Sequence, residues 1–272
     1  EALAAIIDET FARGGNVIIP SFAVGRTQEL LYFIREMKER GLVRTHPDFP
    51  VCVDSPLANE ATRIFSGDLH GYLDEAAIEA LKGGALFQFP GLTLTESKAL
   101  NLDKASKVII SASGMCDAGR IRHHLKHNLW RPESTIVFVG YQAEGSLGRA
   151  LLEGASSVRL FGEEIAVRAR IVNFKGMSSH ADRDHLIAWV RHFAPAPTHV
   201  FVVHGDSPVT EHFAATLQDM GMSAHAPLYE EVYDLLENRM LAKGVVLETR
   251  PKSAGASAAS PAFMRLQDTA KE

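Results

Sequence analysis

The chain has 272 residues, 46% of them hydrophobic and 22% charged, which suits one large or two smaller globular domains and excludes a chain disordered throughout. A formal net charge of −5 at pH 7 excludes a sequence-blind nucleic-acid binder that works by bulk positive charge, while leaving room for local basic patches. Cys52 and Cys116 stand in no C-x-x-C or regular framework, no apolar run is long enough to span a bilayer, and no leader opens the chain, so a reduced, cytoplasmic protein without disulfides is expected.

The sequence begins at Glu1 without an initiator Met and passes directly into a helix-forming run that Gly14-Gly15 stops, as if it continued a longer protein. Asn16 to Ile19 is a short apolar run ended by Pro20, and Arg26 to Arg40 carries Leu30, Leu31, Phe33, Ile34 and Met37 at helical spacing before Gly41. The same strand, loop and helix order returns at Val51 to Val53, which leads through Asp54-Ser55-Pro56 into a helix. It returns again at Val108 to Ile110, which leads through Ser113-Gly114-Met115 to a helix near Arg120 to Asn128. This alternation predicts an α/β domain with a largely parallel sheet. Short strands are then expected at Thr135 to Val139, Ser157 to Leu160, Ile165 to Val167 and Ala169 to Val172.

A second unit is expected from Asn173, with helices over Asp182 to Phe193 and Pro208 to Met220 around a strand at His199 to Val203. The resulting division is 1–172, 173–249 and a tail, 250–272, whose small-residue run from Ser253 to Ser260 predicts disorder. No internal repeat is present.

In open α/β sheets, reactive groups gather beyond the carboxyl ends of strands. His204 stands there, after Val200 to Val203 and before Gly205, with Ser207 read as a helix cap and Pro208 as the first helical residue. Its bland reading is a histidine in a polar turn. His180, in Phe174-Lys-Gly-Met-Ser-Ser-His-Ala-Asp, falls after a strand, and the S-x-x-D pattern of Ser179 and Asp182 puts it in the first turn of a helix, where free N–H groups suit a phosphate. Its bland reading is a cap.

Taken together, Val17-Ile-Ile-Pro-Ser-Phe-Ala-Val-Gly-Arg-Thr-Gln-Glu, Val53-Asp-Ser-Pro-Leu-Ala, Ser111-Ala-Ser-Gly-Met, Gly119-Arg-Ile-Arg-His-His-Leu, Gly140-Tyr-Gln-Ala-Glu-Gly-Ser-Leu-Gly-Arg, Ser179-His-Ala-Asp and Val203-His-Gly-Asp follow the order seen in β-CASP proteins. From about Val17 to about Tyr229 the chain resembles the bacterial β-CASP ribonucleases of the metallo-β-lactamase superfamily. The resemblance implies a β-CASP domain followed by the C-terminal part of a metallo-β-lactamase αββα sandwich, with two zinc ions at the sandwich edge and RNA as substrate between the two. It implies that His204 is a zinc ligand and that His180 contacts the scissile phosphate and protonates the leaving oxygen, chemistry suited to imidazole. A homodimer is compatible with it.

The family's main ligand run, H-x-H-x-D-H, is absent, because none of the 12 histidines occurs in an H-x-H pair. Truncation accounts for this more simply than degeneration, so the chain alone is expected to hold zinc poorly and not to cleave RNA.

Ser113 and Gly114, in a turn that the family faces toward its cleft, Arg26 and Arg120 as phosphate clamps, and Ser179 beside His180 are the substrate-binding candidates. Against them stand a turn that needs glycine anyway and arginines in surface ion pairs. Asp54 is read as a helix start, His123 and His127 as an exposed basic face, and Phe22 and Trp130 as core residues that could alternatively stack bases. A P-loop enzyme and a serine hydrolase are disfavoured for lack of their motifs. The remaining rival is a non-catalytic RNA-binding or scaffold protein on the same fold, against which the retention of both His180 and His204 argues.

Overall fold

The computed structural model describes residues 1–67, 71–75, 78–79, 87–95, 98–177 and 180–246. The chain forms two compact units, Glu1–Ser179 and His180–Glu272. The expected disordered tail and Ser179 lie outside the described residues.

The first unit is built on β1 (Val17–Pro20), β2 (Val51–Asp54), β3 (Leu92–Thr95), β4 (Val108–Ser111), β5 (Thr135–Phe138) and β8 (Arg170–Asn173). These strands form one six-stranded sheet in the order β3-β2-β4-β1-β5-β8. Every neighbouring pair is parallel. The central strands are buried on both faces, which is why they read as unbroken apolar runs rather than alternating ones.

The two-residue period still sorts their side chains. Val17, Ile19, Val51, Val53, Val108 and Ile110 pack with Leu30, Leu31 and Ile34 of α2 (Arg26–Glu39) and with Leu3 and Ile7 of α1 (Ala2–Ala12). Ile18, Ile109, Ile136 and Phe138 turn the other way, onto Ile121 and Leu125 of α4 (Ile121–Asn128) and Leu151 of α5 (Leu147–Leu152). Helices therefore cover both faces, as the parallel α/β expectation requires, and α3 (Pro56–Phe65) joins the α2 side through Ala58. From β1 the chain leaves through α2 toward β2, and from β4 it leaves through α4 toward β5, in opposite directions across the sheet. The neighbouring ends of β1 and β4 are thus a topological switch point, where doubly wound sheets open a crevice.

Two local expectations change. Leu92–Thr95 is a strand that the sequence reading did not anticipate, since none of its residues is fully buried. The expected run of short strands splits: β6 (Ser157–Leu160) and β7 (Glu163–Ala166) make a separate antiparallel hairpin, while Arg170–Asn173 completes the main sheet against β5. The reason is pairing, which sequence period does not encode: Thr135 to Phe138 offer a free edge on which Arg170 to Asn173 register residue for residue.

The second unit contains α6 (Arg183–Arg191), a parallel pair β9 (Val200–Phe201) and β10 (Ala224–His225), α7 (Ser207–Asp219), and an antiparallel hairpin of β11 (Val232–Asp234) and β12 (Arg239–Ala242). Its buried apolar cluster is small: Val190, Leu217 and Ala224, flanked by Val200, Val202, Phe213, Met220 and Met222. Among the described residues no helix is long and apolar enough to cross a membrane.

Candidate functional site

Three loops meet at the carboxyl ends of β1, β4 and β5. The first, Ser21 to Gly25, is pinned by the opening turn of α2: the Thr27 hydroxyl donates to Phe22 O at 2.7 Å and Gln28 Nε2 to Ala23 O at 3.1 Å. Gly25, at φ +81°, adopts the left-handed conformation that glycine tolerates, and its N–H donates to Gln28 Oε1 at 2.7 Å. Arg26 places Nη1 2.5 Å from Glu29 Oε2, an ion pair one turn along the helix.

The second loop, Ala112 to Arg120, closes on itself. Ser113 N–H and Oγ–H both donate to Ala118 O, at 3.3 and 3.2 Å, and Ile121 N–H donates to Ala112 O at 3.0 Å. Gly119, at φ +82°, lets the two arms approach so closely that a Cβ there would stand 2.5 Å from Ala112 O. Gly114 lies against Phe22, whose ring would meet a Cβ at 3.2 Å. Among the described residues, the Gly114 and Met115 N–H groups meet no acceptor. Unpaired amides in a turn at a strand end are the equipment of an anion site.

The third loop, Gly140 to Ser146, is stitched to the second by Gln142 Nε2, which donates to Gly114 O at 3.0 Å, and by Gly148 N–H to Met115 O, also 3.0 Å. Asp117 Oδ1 accepts from Leu147 N–H at 2.9 Å.

Beside these loops lies a charged network that sequence reasoning missed. Asp54, 1% exposed at the end of β2, accepts from Arg120 Nε at 2.6 Å through Oδ1, and its Oδ2 lies 2.7 Å from Nε2 of the fully buried His124. His124 Nδ1 in turn lies 3.0 Å from Asn101 Oδ1. Burial pushes the Asp54 carboxyl up, but the hydrogen bonds from His124 and Arg120 outweigh it and hold the group below the ordinary carboxylate range. The Asp54-Ser55-Pro56 segment is the helix entry expected of it, with Ser55 rather than Asp54 as the cap. Ser55 caps α3, its Oγ accepting from Ala58 N–H at 3.3 Å with Pro56 following, because the aspartate side chain is turned inward to these donors. The signal for His124 was present: Ile121, His124, Leu125 and Asn128 form the buried stripe of α4, and a buried histidine needs a polar partner.

The neighbouring histidines behave otherwise. His127 is exposed, and His123 stacks on Phe161 with centroids 4.4 Å apart. Phe22 and Trp130 were expected in the core but are 49% and 53% exposed, because one lies in a loop beyond the sheet and the other just past the end of α4.

In the second unit, α6 begins at Arg183, with Asp182 as its cap accepting from His185 N–H at 2.9 Å. His180 thus precedes the helix rather than sitting in its first turn, since Asp182 takes the capping position. Likewise Asp206 is the N-cap of α7 and Ser207 its first residue. His204 is exposed and holds φ +65°, a left-handed backbone that non-glycine residues adopt at a cost of about 1–2 kcal/mol. Glycine follows it, so the chain does not use its glycine for the unfavourable turn.

A separate polar chain runs through β9 and β10: His199 Nδ1 to Ser223 Oγ at 2.6 Å, His199 Nε2 to His225 Nδ1 at 2.7 Å, and His225 Nε2 to Glu231 Oε1 at 2.5 Å. Each ring nitrogen is taken by a neighbour, so the chain is a hydrogen-bonded relay rather than a ligand set. Among the described residues no three His, Cys, Asp or Glu side chains come together as metal ligands. The described residues therefore do not by themselves fit a zinc centre.

Helices on both faces of a parallel sheet, with interlocked polar loops at its switch point, define a doubly wound α/β domain. The family described as "Beta-Casp domain" matches residues 27–151, and that described as "Zn-dependent metallo-hydrolase RNA specificity domain" matches residues 164–227. The chain belongs to the β-CASP family of the metallo-β-lactamase superfamily.

Its relatives include "Ribonuclease TTHA0252" of Thermus thermophilus, 37% identical over 205 residues, which are 74% of this chain and 46% of the relative. "RNase J-like protein" of Methanocaldococcus jannaschii is 33% identical over 211 residues, 78% of this chain and 48% of that protein. "Transcription termination factor FttA" of the same organism is 31% identical over 224 residues, 78% of this chain and 34% of that protein. The chain spans less than half the length of these relatives.

Proposed function

We propose that the chain is the substrate-holding part of a zinc-dependent hydrolase that cleaves phosphodiester bonds in RNA. The observation that carries this reading is the loop Ala112 to Arg120, which carries two amides that meet no acceptor among the described residues, Gly114 and Met115, and ends in Arg120, at the switch point of a β-CASP domain. Amides and a guanidinium together recognise a phosphate through charge and directional donors. Ser113 of the same loop and Arg26 at the start of α2 are further substrate contacts, and Ser179, next to His180 in sequence, is another. His180 serves as the proton donor to the leaving oxygen, and His204 as one zinc ligand in a centre of two ions whose other ligands this sequence does not contain. The assignment of 1–172 to the β-CASP domain and 173–249 to the sandwich, a cytoplasmic location and a homodimeric assembly complete the reading. The family match and the ribonuclease names of two relatives support it.

The alternative, a catalytically silent RNA-binding scaffold, is opposed by His204: a residue freed of function has no reason to keep a left-handed backbone at a histidine when glycine is the next residue. The decisive measurements are RNA binding, zinc content and cleavage with the purified chain. Single-stranded RNA is expected to bind with an affinity that falls as salt rises, without cleavage and with less than about one zinc per molecule retained after dialysis. Retention of about two zinc ions together with metal-dependent cleavage would overturn the claim that the centre needs further ligands. Absence of RNA binding at low salt would overturn the substrate assignment.

A further inference from the structure

We propose that Asp54 and His124 are positioning residues, acting through Arg120 to hold its guanidinium at the mouth of the β1–β4 crevice for a phosphate of bound RNA. The inference rests on the RNA-binding reading of that loop.

Two distant stretches of sequence meet in this network. Asp54 ends β2, while Arg120 and His124 sit one helical turn apart at the start of α4, and Ser111 Oγ–H donates to Asp54 O at 2.8 Å, tying the ends of β2 and β4 together. The division of labour on the carboxylate is informative. A carboxylate that served only to stabilise an arginine would take the guanidinium with both oxygens, the strongest geometry for that pair. Asp54 gives Arg120 only Oδ1, at Nε, and gives Oδ2 to His124, which is backed by Asn101. Nε is thus fixed, and neither Nη group is taken by the aspartate.

The exposures agree. Asp54 and His124 are 1% and 0% exposed, whereas the Arg120 side chain is 26% exposed. Arg120 Nη2 is itself buried and has no hydrogen-bond partner among the described residues. Buried ion pairs add little net stability over apolar side chains of the same size. A network that buries a carboxylate and an imidazole completely while a quarter of the arginine side chain stays exposed is organised for direction rather than for stability. Its direction is set within the loop that carries Ser113 and Gly114, since Ile121 N–H to Ala112 O, at 3.0 Å, closes that loop immediately after Arg120.

The test is a double-mutant cycle on the full chain, with binding of a short unstructured oligoribonucleotide read by fluorescence anisotropy at low salt. Arg120→Ala is expected to weaken binding about tenfold. Asp54→Asn, which keeps the shape and removes the charge, is expected to weaken binding about fivefold alone and less than about twofold in the Arg120→Ala background, because its effect passes through the arginine. His124→Gln, whose amide can still donate to Asp54, should bind as the unsubstituted chain does, and His124→Leu should resemble Asp54→Asn. Thermal melts establish that each variant is folded; should Asp54→Asn fail to fold, the two His124 variants carry the same comparison. Additive losses in the two backgrounds, or wild-type binding by Arg120→Ala, would overturn the positioning role while leaving RNA binding in place. A chain that binds no RNA at all would overturn the underlying reading and the inference with it.

Discussion

At the scale of single residues, the backbone of His204 is the most informative feature of the second unit. Its φ of +65° costs stability that a glycine would not. His204→Gly is therefore expected to leave the chain as stable or more stable, by up to about 1 kcal/mol in urea denaturation, while removing whatever metal affinity the chain has. A loss of more than about 1 kcal/mol would show that the imidazole is a structural group and argue against the ligand assignment. Gly119 gives the opposite expectation. Alanine there would combine a left-handed backbone with a Cβ 2.5 Å from Ala112 O, so Gly119→Ala should destabilise the first unit by more than about 2 kcal/mol and impair RNA binding as the loop is forced open.

At the scale of elements, the polar chain linking β9 and β10 to the residues before β11 makes the second unit sensitive to acid. His199 is held below the ordinary imidazole range first by burial and then by His225, with Glu231 opposing. Burial pushes Glu231 up, but the hydrogen bonds from His225 and Leu228 and the nearby imidazoles bring it below its ordinary value. Both folded-state values are depressed, so at low pH the unfolded chain binds more protons than the folded one. The stability these groups contribute is present above the ordinary histidine value of about 6.5 and is lost as pH falls through the folded-state values. Urea midpoints followed by Trp189 fluorescence in a Trp130→Phe background should fall between about pH 7 and pH 4, and Glu231→Gln should flatten the lower part of that dependence. A flat profile in the unsubstituted chain would mean that the relay does not form in solution.

At the scale of the whole molecule, the two units differ in how much they bury. The first has apolar clusters on both faces of its sheet, whereas the second centres on Val190, Leu217 and Ala224. The second unit also leaves Trp189, Leu235, Leu236 and Val246 exposed, Leu236 to 96%. Stability follows buried apolar area. Amide exchange is accordingly expected to be faster through 180–246 than in β1, β4 and β5, and a hydrophobic dye should bind the native chain, with binding lost on removal of Leu235 and Leu236 by polar substitution. Equal protection of the two units would contradict this ordering. Sedimentation would test the proposed homodimer on the same material.

The parallel sheet and its helices were legible because strands buried on both faces must be apolar throughout, and because helices one face deep must repeat every three to four residues. Val17 to Ile19, Val108 to Ile110 and the stripe along α2 carry those constraints locally, so the sequence alone determined the fold class, the loops after each strand and the motifs that mark the family. It did not determine who meets whom. Arg170 to Asn173 looks like any short strand until β5 offers it an edge, and Asp54 looks like a helix start until Arg120 and His124 approach it from more than sixty positions away. The burial of His124 is visible in the helical period, while the partner that makes a buried imidazole tolerable is not. Backbone strain at His204 is likewise a tertiary fact. Local chemistry chose the elements; closing long loops within each unit decided which charges were paired and which histidine bears an unfavourable backbone.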